Sequence, residues 1–569
     1  MKRAFMFLMI GIVCLGVSWA AYMSISPTEP QLSKYVPPGA LLYLQAKDFS
    51  SLLTDWNRSP QKQRWLESGN YQAFSHSRLF LRLNEASAQF ATAAGLPSDM
   101  NFVTQVAGDE SALALYDIGK LEFVYITRLP SANFMQTALW QTHSKFETRE
   151  AGGVTFYLRR DPESEREVEF AVSGDYVVLA TREDLMAEAL NLMAGSKDRT
   201  IESEQWWAQS TASAGPPGDL RMVLNLEKLV PSPYFRSYWI QRNITDMKQY
   251  NAAVSDLFRS GKEYREERVL LKKSGAIGDA SAIDGSRSVA DLARLVPADA
   301  GAYEIEANPS VDSCFNSLET KILAPHFGPA PSSQMAPGVQ LTSGETGGSA
   351  DLETRIDQAP AAPVIASESS ALLKNLIAKN QVRAILRVQS TDRDKDGVFV
   401  RIHSAVALAG ASDWSESEAH AALVEFIRPG LTTSQYGVGW QQKSGYQELD
   451  GLWTLTAAVR GKYMLVSDDP GLVNSMLRNM NHKADLKPAT FVSGFNHAHE
   501  RENFAHFTSL LDRPGAQSEG GENAEHEPQF FSENMVSLSS TLADVSSETI
   551  VIREVGDKVI ETVTYQWSQ

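Results

Sequence analysis

The sequence predicts an α+β fold: two similar halves, each an antiparallel sheet with packed helices, set after an N-terminal apolar helix. Three observations predict it. Segments of the first half recur, in the same order, in the second. Strand-like runs come in pairs joined by short turns, the pattern of hairpins rather than of strand–helix–strand alternation. The chain also opens on one long apolar run.

The recurrence is the strongest of the three. Tyr35-Val-Pro-Pro-Gly-Ala-Leu-Leu-Tyr43 is echoed by Leu295-Val-Pro-Ala-Asp-Ala-Gly-Ala-Tyr303, with Val-Pro opening an extended segment in both. Gly174-Asp-Tyr-Val-Val-Leu-Ala180 matches Gly461-Lys-Tyr-Met-Leu-Val-Ser467, and an acidic turn and a helical pattern follow each, over Leu185–Met193 and Leu472–Met480. Leu220–Leu226 matches Ala489–Phe495. The spacing differs from pair to pair as insertions require. Two halves result, at 35–270 and 291–569, with linkers at 25–34 and 271–290.

Within the halves, Ser111–Tyr116 and Leu121–Ile126 read as a hairpin, with Arg383–Val388 and Val398–Ile402 as the counterpart. Thr549–Val555 and Lys558–Val563 flank Gly556-Asp557, a two-residue turn whose glycine supplies positive φ. Ser77–Ala94 reads as a helix closed by Gly95. Residues 325–369 and 512–528 are rich in Pro, Ser, Gly and other small or polar residues. Such stretches bury too little apolar surface to offset their ordering entropy, which predicts disorder.

The apolar run is Ala4–Met23, behind Met1-Lys2-Arg3 and ahead of the next charge at Glu29. A basic head followed by an apolar core is an export signal, its positive end left in the cytoplasm. Two readings stand for residues 1–24. The run has the length of about 20 residues that a spanning helix needs, which predicts a single-pass anchor. Ser18-Trp19-Ala20 offers small residues to a signal peptidase, which predicts release after cleavage near Ala20. Cys14 follows Val13, not the small residue a lipoprotein signal requires. Either way the remainder lies beyond a cytoplasmic membrane.

Composition narrows the function. Of 569 residues 43% are hydrophobic, enough for real cores, and the net charge of −17 repels nucleic-acid phosphates and anionic head groups. No nucleic acid is expected as a partner. Cys314 stands alone outside the N-terminal run, so no disulfide staples the ectodomain and no zinc site with paired thiolates fits.

Two clusters carry candidate chemistry. Asp392-Arg-Asp394-Lys-Asp396-Gly397 spaces Asp392, Asp394 and Asp396 as in a calcium loop, where alternating carboxylates converge on a hard cation. A helix–loop–helix calcium site would place Glu where His403 stands, and the flanks read as strands. The competing reading is a solvated hairpin turn. His497, His499 and His506 form the one histidine cluster, without zinc spacing: Asn503 stands where His-Glu-x-x-His needs its second histidine. Gly275-Ala-Ile-Gly278 lacks the preceding strand of a nucleotide loop, and no Gly-x-Ser-x-Gly elbow occurs. Trp206-Trp207, Tyr234-Phe235 and Tyr238-Trp239 are aromatic groups of the kind that build cores or line apolar grooves.

At Val36-Pro37 through Tyr43, and again at Gly174–Ala180, the chain resembles a family of bacterial envelope proteins defined as a domain of unknown function. That resemblance implies a bacterial source, one N-terminal hydrophobic segment and a long extracytoplasmic part. It carries over no activity and no catalytic residue. The expectation is a non-enzymatic envelope protein, attached to the membrane through residues 4–23, whose ectodomain binds a protein or apolar ligand. A periplasmic carrier or chaperone for lipid or another apolar molecule is the alternative, and a metal-dependent hydrolase the third. No cofactor is expected, calcium at the aspartate loop excepted.

Overall fold

The structure, a computed structural model, describes residues 31–97, 102–232, 247–273, 281–323, 371–392, 400–432, 440–449, 454–482, 486–503 and 545–567. It is mixed helix and strand built on a large antiparallel sheet. Contacts divide the chain into two compact units, one of residues 1–54, 82–212 and 222–237, the other of 55–81, 213–221 and 238–569. The predicted disordered stretches 325–369 and 512–528 lie outside the described residues, as does the apolar run 4–23. Among the described residues no helix is long and apolar enough to cross a membrane.

The first unit holds β1 (Leu42–Lys47), β2 (Glu110–Asp117), β3 (Glu122–Arg128), β4 (Glu147–Ala151), β5 (Val154–Arg160), β6 (Glu167–Ser173), β7 (Tyr176–Ala180) and, from Met222 on, β8 (Leu220–Asn225), whose first two residues belong to the second unit. Pairing runs β8–β1–β2–β3–β7–β6–β5–β4. Between β1 and β2 the chain passes through α1 (Phe49–Arg58), α2 (Pro60–Glu67), α3 (Gly69–Ser75) and α4 (Arg78–Ala94), the last closed by Gly95 in the left-handed region at φ +69°. The end of α4 contributes Phe90, Ala93 and Ala94 to a core with Phe134, Phe146, Phe170 and Leu179. α5 (Glu183–Met193) follows β7 and packs back on β6 and β7. Buried on both sides, β7 reads as an unbroken apolar run. The outer strand β4 is Glu-Thr-Arg-Glu-Ala and exposed, charge that discourages pairing with another chain.

The second unit holds β9 (Tyr250–Arg259), β10 (Glu263–Lys272), β11 (Ala302–Ala307), β12 (Ala384–Asp392), β13 (Arg401–Ala409), β14 (Trp440–Gln442), β15 (Gln447–Leu449), β16 (Leu455–Arg460), β17 (Tyr463–Ser467), β18 (Phe491–Phe495), β19 (Val545–Val555) and β20 (Lys558–Trp567). Pairing runs β18–β11–β12–β13–β17–β16–β15–β14, and on the other side of β18 through β19, β20 and β10 to β9. The helices are α6 (Ser281–Ala293), α7 (Val311–Leu318), α8 (Ala371–Asn380), α9 (Glu416–Thr432) and α10 (Pro470–Asn479). The sheet has a core on each face. Ile385, Val406 and Leu408 meet α7, α8 and α9; their strand neighbours Leu386, Ala405 and Ala407 meet α6 and α10. Successive residues of a strand point to opposite faces, so one apolar run serves both cores. The strand expected at Val398–Ile402 instead begins at Arg401 and reaches Ala409, because the apolar tail Ala405–Ala409 pairs with both β12 and β17.

Several local details recur between the units. The Asn225 N–H donates to the Leu41 carbonyl at 2.9 Å, and that of Asn496 to Gly301 at 2.7 Å. The Leu129 N–H donates to Asp175, and that of Gly410 to Lys462, each at 2.8 Å. Asp48 after β1 and Asn308 after β11 both take the left-handed conformation, at φ 47° and 48°. These residue types tolerate it best after glycine.

Candidate functional site

The predicted histidine cluster starts the helical residues 497–503, after β18. Asn496 caps them, its side chain accepting the His499 N–H at 3.1 Å. The two described histidines lie beside different carboxylates. His499 Nδ1 lies 2.9 Å from Glu500 Oε1, whereas His497 Nε2 lies 3.8 Å from Glu548 Oε2 with its ring edge-on to Phe495. His506 lies outside the described residues. Asp392 ends β12, exposed and opposite Arg401; Asp394 and Asp396 are outside as well. Among the described residues no group of three His, Cys, Asp or Glu is placed to hold a metal.

Sequence reading missed the carboxylate at the centre of this corner. Glu500 is only 6% exposed. It accepts the Thr391 N–H at 3.2 Å and the Thr391 hydroxyl, and Asn503 donates to that hydroxyl oxygen at 3.0 Å. Gly301 makes the room: a Cβ there would sit 1.7 Å from Glu500 Oε1. With these partners Glu500 clamps the end of β12 to the helix after β18.

A second polar group lies on β12. Arg387 donates to Glu304 at 2.7 Å and Glu306 at 3.0 Å, both on β11, and to Ser317 and Ser313 of α7 at 2.8 and 3.0 Å. Beside it Cys314 is fully buried, and burial pushes its thiol up to about 12 despite the Arg387 charge. A thiol held protonated is not a nucleophile.

Glu169 on β6 is buried completely, and neither carboxyl oxygen has a well-formed hydrogen bond. Burial raises its pKa to about 8, Glu183 and Asp184 at the start of α5 adding to the effect against the Arg182 backbone N–H. Trp207, one of the predicted aromatic groups, is core, edge-on to Tyr43 at 4.8 Å. The groups at Tyr234-Phe235 and Tyr238-Trp239 lie outside the described residues.

The stretch Asp55–Leu81, from the end of α1 to the start of α4, departs from this pattern. Its large apolar side chains face outward: Trp56 is 48% exposed, Leu66 44%, Phe74 36% and Leu81 55%. A serine sets each turn. Ser59 caps α2 by accepting the Lys62 N–H at 3.1 Å, and Pro60 fills the first helical position. Ser68 accepts from Tyr71 N at 3.1 Å and Ser77 from Phe80 N at 3.2 Å. The N–H of each serine donates to an aromatic residue three positions back, Trp56, Trp65 or Phe74, at 3.1, 3.1 and 2.9 Å. The unit aromatic-x-x-Ser thus recurs every nine residues. Trp65, Tyr71, Phe74 and Phe80 form a ring cluster, with centroids 5.4–6.2 Å apart. That period was the signal available in the sequence.

No family model matches the chain, and no curated protein matches it. Among solved structures the chain is similar to crystal forms I, IV and III of TP0453, at 13% identity throughout and TM-scores of 0.25, 0.24 and 0.24. The matches cover 44%, 42% and 46% of this chain and 82%, 79% and 87% of those chains.

Proposed function

We propose that this chain is a non-enzymatic bacterial envelope protein, carried to the outer face of the cytoplasmic membrane by residues 4–23, whose duplicated α+β ectodomain docks a partner through exposed side chains. The duplication is supported by the two pairing orders. Replacing β1–β8 in the order β8–β1–β2–β3–β7–β6–β5–β4 by β11–β18 gives the order of the second unit. The left-handed Asp48 and Asn308, and the bonds Leu129 to Asp175 and Gly410 to Lys462, fall on corresponding residues.

The observation that carries the functional reading is the contrast between interior and surface. Glu500 and Arg387 spend their hydrogen bonds on neighbours, and Cys314 is a buried neutral thiol. Large apolar side chains of Asp55–Leu81 stand in solvent instead. Large apolar side chains exposed close together along one segment point to an interaction site. Native mass spectrometry of the intact protein tests the reading. The expected spectrum is the mass of the polypeptide alone. A stoichiometric lipid or metal ion carried through purification would replace it with the carrier or the hydrolase.

A further inference from the structure

We infer that the helical segment Asp55–Leu81 docks on an anionic lipid bilayer. The inference rests on the partner-docking reading and names the partner. Among the described residues of α2 and α3 no apolar side chain is buried, and the segment exposes Trp56, Leu66, Phe74 and Leu81 beside the half-buried Trp65, Tyr71 and Phe80. Left in water, each of the four exposed side chains forgoes the free energy that burial of its apolar surface would contribute. The repeated serine turn holds an aromatic residue at the end of each short helix, so the exposed rings are placed by hydrogen bonds rather than left to chance.

Charge selects the partner. The whole chain is strongly acidic, with 52 basic and 69 acidic residues. Asp55–Leu81 reverses that balance: Arg58, Lys62, Arg64 and Arg78 stand against Asp55 and Glu67. Tryptophan, phenylalanine and leucine beside lysine and arginine, on helices too short to span, is the composition of a segment lying in the bilayer interface. Indole and phenol rings settle at head-group depth, and each nearby cation adds attraction to anionic lipid. Net charge alone predicts repulsion from such a surface; the local charge of this segment opposes it.

The test uses the full-length chain with Cys14→Ser and a fluorophore on Gln72→Cys, an exposed position of α3. Cys314, buried and protonated, does not compete for the label. The protein is incorporated into phosphatidylcholine vesicles with and without phosphatidylglycerol, and some lipids carry a spin label on the acyl chain. The probe reports on its own segment, so insertion of residues 4–23 does not affect the result. Blue-shifted, lipid-quenched emission is expected with phosphatidylglycerol and not without it. Joint Arg58→Glu, Lys62→Glu and Arg64→Glu substitution is expected to weaken the docked state about a hundredfold, and Trp56→Ser with Phe74→Ser to abolish it. Emission identical in both vesicles overturns the assignment. So does a probe already shielded without lipid in a dimer that Trp56→Ser dissociates, since the occupant is then a second copy. Either result leaves a mass spectrum free of lipid and metal, at one or two chain masses, so failure of the lipid assignment is distinguishable from failure of the docking reading.

Discussion

Glu169 illustrates how one side chain couples this fold to pH. The proposed duplication equates it with Thr456 of β16, which is also fully buried with an unpartnered hydroxyl. The helices beyond them start differently. Asp469 caps α10 by accepting the Gly471 and Leu472 N–H groups, while Arg182, at the matching position before α5, makes no side-chain cap. A carboxyl buried under an uncapped helix start is tolerable while protonated and costly once charged. Its native pKa of about 8 lies above the ordinary 4.5. Between those values the folded chain holds a proton that the unfolded chain releases, so stability is full below the lower value and falls as pH rises through the upper one. A falling melting temperature from about pH 5 to about pH 8 is expected by calorimetry. Glu169→Gln, neutral at every pH, is expected to flatten that part of the profile. An identical slope in both proteins would show that Glu169 is not its source.

At the scale of elements, position in the sequence decides what was legible. The β19–β20 hairpin was readable because Gly556-Asp557 fixes its turn locally, with Gly556 at φ 62°. β7 and β17 were readable because strands buried on both faces are unbroken apolar runs. The three-residue strands β14 and β15 were not, since neither is long enough to show a period. α2 escaped for another reason: helix reading looks for an apolar stripe facing a core, and no residue of α2 is buried. Glu500 was passed over for its histidine neighbours, because burial of a carboxylate by Thr391, over a hundred residues earlier, has no local signature. The start of β8 is held in the same non-local way. Arg221 makes a two-pronged bond to Asp256 of β9, both contacts at 2.7 Å, while Gly218 N–H donates to the same carboxylate at 3.0 Å. Both side chains are almost fully buried. Removing one member strands the other's charge, so Asp256→Ala is expected to cost about 3–5 kcal/mol in urea unfolding. Arg221→Met with Asp256→Leu is expected to cost markedly less, because no lone charge remains. Equal losses would mean that packing rather than charge holds the corner.

At the scale of the whole molecule, scaffold and surface are distinct. Two units with corresponding strand orders bury their apolar side chains on the sheet faces, and Arg387 and Glu500 beside them are taken up by neighbouring polar groups. The exposed Trp56, Leu66, Phe74 and Leu81 belong to the segment Asp55–Leu81 and lie outside those cores. The function proposed for this segment lies in what it touches. Hydrogen–deuterium exchange of the full-length protein, compared between detergent and vesicles containing phosphatidylglycerol, tests this most directly. The account expects slowed exchange confined to residues 56–81, with the sheet strands unchanged. Unaltered exchange at 56–81, or protection gained on the sheets instead, would contradict it.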